Sequence, residues 1–120
     1  MDFDSYKKLY HLPADINGDL IIKSACYVFD VSKKYLLGKF REQEISDVRA
    51  VISIILKKAG WNSRRIGELL NRDSSTIRHY WKRFELPPIY EPKLNQRLDY
   101  FLENIDFEKI TKNYKIKKYY

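Results

Sequence analysis

The sequence predicts an all-α protein: a trihelical helix-turn-helix core with additional N- and C-terminal helices. Three observations lead there. Apolar residues recur at helical spacing, most clearly in Ile45, Val48, Val51, Ile52, Ile55, Leu56 and Ala59. Residues that start helices precede the periodic segments, and Gly38, Gly60 and Pro87-Pro88 follow them. Between the helices expected at 63 to 70 and 74 to 84, only Asn71, Arg72 and Asp73 remain to turn a corner.

Residues 1–18 read as an N-terminal arm with a short helix at 4 to 11, closed by Pro13 and the turn-forming Asn17-Gly18. Asp19 is the expected cap of a helix at 20 to 29, whose buried face carries Ile21, Ile22, Ala25, Cys26 and Phe29. Ser32 caps a short helix through Leu37, which Gly38 stops. The stripe from Ile45 to Ala59 defines the scaffold helix, with Asp47, Arg49, Ser53, Lys57 and Lys58 expected on its other faces and Gly60 at its end. Asn62 and Asp73 cap the next two helices, and Asn71 tolerates the left-handed dihedrals a tight corner needs. The domain so built spans 19–86. Residues 87–120 add a helix at 92 to 104, opened by Pro92 and lined by Leu94, Leu98, Phe101, Leu102 and Ile105. A basic tail follows, with five lysines and three tyrosines from Lys109 to Tyr120.

The 120 residues suffice for one modest core with arms, hardly for two. The chain holds 23 Lys+Arg against 16 Asp+Glu, and the surplus is uneven: 13 basic and 8 acidic residues in the second half, 10 and 8 in the first. Such a half attracts polyanions by Coulomb steering and counterion release. Cys26 is the sole cysteine, so no internal disulfide or thiolate metal cluster is available; a buried, inert thiol is expected. No signal-peptide run or membrane span is seen. The expectation is a cytoplasmic protein of a bacterial cell or its virus, away from membranes.

The chemistry concentrates at the corner. Ile66, Leu70, Ile77 and either Tyr80 or Trp81 fall where two crossing helices bury side chains, and a Cβ on Gly67 is expected to collide with the second helix. With Ile77, Trp81 and Phe84 inward, Ser74, Ser75, Arg78, His79 and Lys82 cover the outer surface, and Arg72 leads it. Hydroxyls and free amides at a helix start reach phosphates or base edges, and an arginine there can pair with guanine. Arg64 and Arg65, near the start of the preceding helix, suit a backbone phosphate. Asp73 is expected to cap the helix and orient a neighbour, with a cytosine amino group as its other possible partner.

Residues Ile21 through Phe84 resemble the carboxy-terminal DNA-binding domain of the bacterial replication initiator DnaA, a Trp-repressor-like helical domain. The likeness lies in Cys26-Tyr27-Val28-Phe29-Asp30-Val31-Ser32 with Tyr35-Leu36-Leu37, in Arg41 with Arg49, and in Asn71-Arg72-Asp73-Ser74-Ser75-Thr76-Ile77-Arg78-His79. The family pattern at the last is Gly-Arg-Asp-His-Thr-Thr-Val-Leu-His. The resemblance implies double-stranded DNA as partner, read in the major groove by the residues at Asp73, Ser74, Ser75 and Thr76. It also implies an arginine placed in the minor groove by the loop from Lys39 to Arg41, which here is Arg41. Ser74 and Ser75 replace the family's His and Thr, and Glu42 and Glu44 dilute its basic loop. No Gly-rich phosphate loop is present, so an initiator ATPase is excluded.

His11 and His79 are the only histidines and lack metal-ligand spacing, and Ser74-Ser75 lacks an orienting carboxylate for a nucleophile. No catalysis and no cofactor are expected. The rival reading is a small adaptor, in which residues 92–120 bind another protein or a second copy of the chain forms a homodimer.

Overall fold

The computed structural model describes residue 12 and residues 16–110; the expected helix at 4 to 11 and the tail beyond 110 lie outside the described residues. The described residues form six α-helices and two 3-10 turns with no strand, so the protein is all-α. The helices are α1 Gly18–Phe29, α2 Lys33–Leu37, α3 Gln43–Lys58, α4 Ser63–Leu70, α5 Ser74–Arg83 and α6 Pro92–Asn104. None is long and apolar enough to cross a membrane.

The cap of α1 differs from the expectation. The Asn17 side chain accepts from the Leu20 amide at 3.1 Å, so the helix begins at Gly18 and Asp19 lies inside its first turn. There a carboxylate still favours the positive end of the helix dipole. Gly18 belongs at a close approach: a Cβ would lie 3.0 Å from Leu69 and Trp61. Ser32 caps α2 through the Tyr35 amide at 3.1 Å, and Asn62 caps α4 through the Arg65 amide at 2.8 Å. The Cys26 thiol is half-buried, and burial raises its pKa against the lowering pull of Lys33.

α3 is the axis of the core. Val48, Ala50, Val51, Ile52, Ile55 and Leu56 are buried, and all five other helices pack against α3, most extensively α5 and α6. Lys57 and Lys58 are exposed as the apolar stripe of α3 suggested, but Asp47, Arg49 and Ser53 are buried, because neighbouring elements cover more than one face. Each is satisfied, as burial requires. Arg49 donates through Nε to Leu36 O at 2.7 Å, through Nη1 to Phe40 O at 2.7 Å, and through Nη2 to Tyr35 O at 2.9 Å and Gly38 O at 3.2 Å. Burial lowers its pKa, and the neighbouring Arg72 cation lowers it further. Ser53 donates to Ala50 O at 2.8 Å.

Asp47 is the second buried anchor. Its Oδ1 accepts from Arg83 at 2.7 Å and Gln43 at 2.8 Å, and its Oδ2 from Arg97 at 3.0 Å. Arg83 also pairs with Glu91 at 3.0 Å, so one cluster joins α3, the end of α5 and the start of α6. Buried ion pairs contribute little net stability, and their value is that breaking one is costly and the geometry is therefore fixed.

Pro92 occupies the first turn of α6, as expected, and Leu94, Leu98, Phe101 and Leu102 are buried. Phe101 stacks on Phe29 with ring centroids 5.6 Å apart. The apolar side of α6 is thus spent on the chain's own core. Each fully buried Leu or Phe there contributes about 1.5–3 kcal/mol. A 3-10 turn at Phe107–Ile110 follows, and Asn17 N donates to the carbonyl of buried Ile110.

The Arg83 hydrogen bond holds the Glu91 carboxyl below its ordinary pKa of 4.5. A depressed carboxylate stabilises the fold fully above its unfolded pKa and loses that contribution as pH falls through the folded value. Glu91→Gln is therefore expected to lower the thermal midpoint at neutral pH and to flatten its decline between about pH 5 and pH 3. Calorimetry across that range checks it.

Candidate nucleic-acid interface

The corner between α4 and α5 is set by two residues. Asn71 adopts left-handed dihedrals, φ 57° and ψ 49°, and ends α4. Gly67 is buried beneath the turn, where a Cβ would stand 2.4 Å from the Arg72 carbonyl oxygen. The expected clash is thus with the backbone of the corner rather than with α5 itself. The Arg72 amide donates to Gly67 O at 2.8 Å and closes the turn.

Ile66, Leu70, Ile77 and Tyr80 are buried between the helices. Trp81 is half-buried too, its indole N–H donating to Ser53 O at 3.1 Å, so Tyr80 and Trp81 both anchor α5. This fixes which side of α5 faces outward. Ser75, Arg78, His79 and Lys82 are exposed along it. Arg78 reaches back to the Ser63 hydroxyl at 3.3 Å, at the start of α4.

Ser74 and Thr76 are half-buried on the flanks of α5 rather than on its crest. They line a cleft of about 920 Å³ together with Lys39, Arg41, Arg64, Glu68, Arg72 and Asp73. Three elements meet there: the loop after α2, the outer side of α4 and the start of α5. Arg64 is exposed beside Glu68 at 3.6 Å, a pair that solvent leaves nearly free to exchange partners. Asp73 stands at the N-cap position of α5 with extended dihedrals, but its side chain makes no capping hydrogen bond. Arg41 is exposed.

Two arginines are placed differently from the sequence expectation. Arg72 does not lead the outer surface: it is half-buried, donating to Asn71 O at 2.8 Å and to Gly38 O across the cleft floor. Two backbone carbonyls, one at the corner and one after α2 that Arg49 also engages, draw its planar fork inward. Arg65 is exposed but stacks over Trp61, 3.5 Å from the ring centroid, and is not among the residues that line the cleft with Arg64. Trp61 itself is a core residue.

Two further cations were named in the sequence without a place at the site. Lys39 was legible only as part of a loop. Lys57, on the last turn of α3, extends over Trp81 at 4.6 Å from the ring centroid and so joins the flank of α5. Nothing local in the sequence places it there, because the contact forms across 24 residues.

Chemically, the arrangement offers exposed cations, hydroxyls and the first amides of a helix along the outer side of α5 and in the cleft at its start. Among the described residues, no group of three or more His, Cys, Asp or Glu is placed to hold a metal ion. Comparison with family models, curated proteins and solved structures found no match to this chain.

Because the atom facing Gly67 is backbone, Gly67→Ala forces the corner to move. Overpacking of this kind costs about 1–3 kcal/mol, and urea unfolding is expected to show a loss of that size with an unchanged slope.

Proposed function

We propose that this chain is a non-catalytic double-stranded DNA-binding protein, in which α4 and α5 form a helix-turn-helix and α5 enters the major groove. The observation that carries the reading is the uncovered outer side of α5, where Ser75, Arg78, His79 and Lys82 are exposed beside an arginine-lined cleft. A B-form major groove admits one α-helix, and a helix carrying cations and hydroxyls on its outward side supplies donors to base edges and phosphates together.

Arg78 is long enough for a paired contact with guanine, and Lys82 lies one turn further along the same side. Ser74 and Thr76, with the first amides of α5, face a phosphate at the cleft mouth. Arg64 flanks that phosphate, and Arg41 on the loop after α2 is left for the adjoining minor groove. The resemblance of Ile21 through Phe84 to the DNA-binding domain of DnaA supports the same assignment, with Ser74 and Ser75 giving base contacts of their own.

A protein-binding role has one observation in its favour. Leu86, Ile89 and Tyr90, just after α5, are 51, 81 and 70 % exposed. The form of that role built on α6 is disfavoured, since the apolar side of α6 is already buried.

Fluorescence anisotropy of labelled mixed-sequence duplexes over a series of salt concentrations separates the two. DNA binding predicts a steep salt slope that flattens by about 1 in the double variant Arg78→Ala, Lys82→Ala, the Arg78 guanine contact being lost as affinity rather than as slope. Duplex anisotropy that stays flat at saturating protein and low salt would refute it.

A further inference from the structure

The two cationic walls of the cleft meet at a single backbone oxygen. Arg72 Nη2 donates to the Gly38 carbonyl while its Nη1 holds Asn71 O at 2.8 Å. The same Gly38 oxygen accepts from buried Arg49 at 3.2 Å. Alongside, Asn71 Nδ2 donates to Leu37 O at 3.3 Å. The loop that carries Lys39 and Arg41 is therefore fastened to the corner that launches α5, across 34 residues of sequence.

The loop has little freedom to take another path. Gly38 admits no Cβ, which would lie 2.6 Å from Lys34 O, and Arg49 already grips the carbonyls of Tyr35, Leu36 and Phe40. Arg72 extends this unit to the corner of α4 and α5 through a charged, planar fork, beside the Asn71 amide and the Arg49 hydrogen bond to Tyr80 of α5.

The geometry points to Arg72 as a positioning residue for DNA binding: it holds the Arg41 loop at a fixed spacing from α5, so that both engage one duplex together. The inference rests on the reading of α5 as a duplex-binding helix, and it removes Arg72 from the set of direct contacts. Bridging two carbonyls at once needs the guanidinium fork, which a lysine ammonium on its flexible stem does not reproduce. Contacts held in place before binding avoid the ordering entropy that a loose loop would lose on association. Charge and position are therefore separable, because lysine keeps the first and gives up the second.

The test uses the full chain and a labelled mixed-sequence duplex, with anisotropy read against salt. Arg41→Ala is expected to lower the salt slope by about 1. Arg72→Lys, with its charge unchanged, is expected to lower it by a similar amount, and the double variant no further. Arg78→Ala combined with Arg72→Lys is expected to add in full. On the free protein, backbone relaxation in Arg72→Lys should show order parameters at residues 39–41 below their wild-type values, with α3 and the Arg49-held residues 35 and 36 unaltered.

A wild-type salt slope in Arg72→Lys, additive losses with Arg41→Ala, or an equally rigid loop would each overturn the proposal. Should lysine at 72 unfold the chain, Arg72→Met goes through the same cycle. Positioning predicts no further loss in the Arg41→Ala background, and a direct contact predicts a further drop of about 1. If wild-type protein fails to bind duplex at any salt, the DNA reading falls and takes Arg72's binding role with it. The loop relaxation still reports separately whether the tether exists.

Discussion

The buried guanidinium of Arg49 is the constraint around which the rest is arranged. A cation in a protein interior is tolerated only when its donors are met, and here the backbone carbonyls of Tyr35, Leu36, Gly38 and Phe40 meet them. Those carbonyls include the free end of α2, whose partial negative charge suits a cation. One side chain of α3 thereby holds the end of α2 and shapes the loop behind it.

α5 is held at both ends and along its inner side, and its outer side is exposed. At its start, Arg72 and Asn71 join the corner to Gly38 and Leu37. At its finish, Arg83 lies between Asp47 and Glu91. Along the inner side, Ile77 and Tyr80 are packed, and the Trp81 indole is hydrogen-bonded to α3. The exposed side carries no packing role, so its residues are chosen by something other than the core. A rigid helix with an unoccupied cationic side is what a groove-binding element requires.

Much of this was legible locally. Ser32 and Asn62 cap their helices, Asn71 takes the left-handed corner and Pro92 opens α6, because each acts on amides or dihedrals within a few residues of itself. The exposed set Ser75, Arg78, His79 and Lys82 followed from helical periodicity once Ile77 was taken as inward. What escaped was non-local. Arg49 and Asp47 read as wet because they are charged, yet apart from Gln43, four residues from Asp47, their hydrogen-bond partners come from 9 to 50 residues away. Arg72 read as a surface cation because its acceptor, Gly38, lies on another element. Asn17-Gly18 read as a turn, whereas Asn17 caps the helix that Gly18 begins. Periodicity finds a face; it does not tell which polar residues neighbouring elements will cover.

The central claim is that duplex DNA is met by the outer side of α5 together with the cleft beside it. The most direct measurement is a titration of isotope-labelled protein with a short mixed-sequence duplex, following every backbone amide by NMR. The changes should be concentrated in residues 74–82, in residues 39–41 and around Arg64, with α1 and α6 nearly silent. Changes centred instead on Leu86 to Tyr90 or on α1, with α5 unmoved, would contradict it.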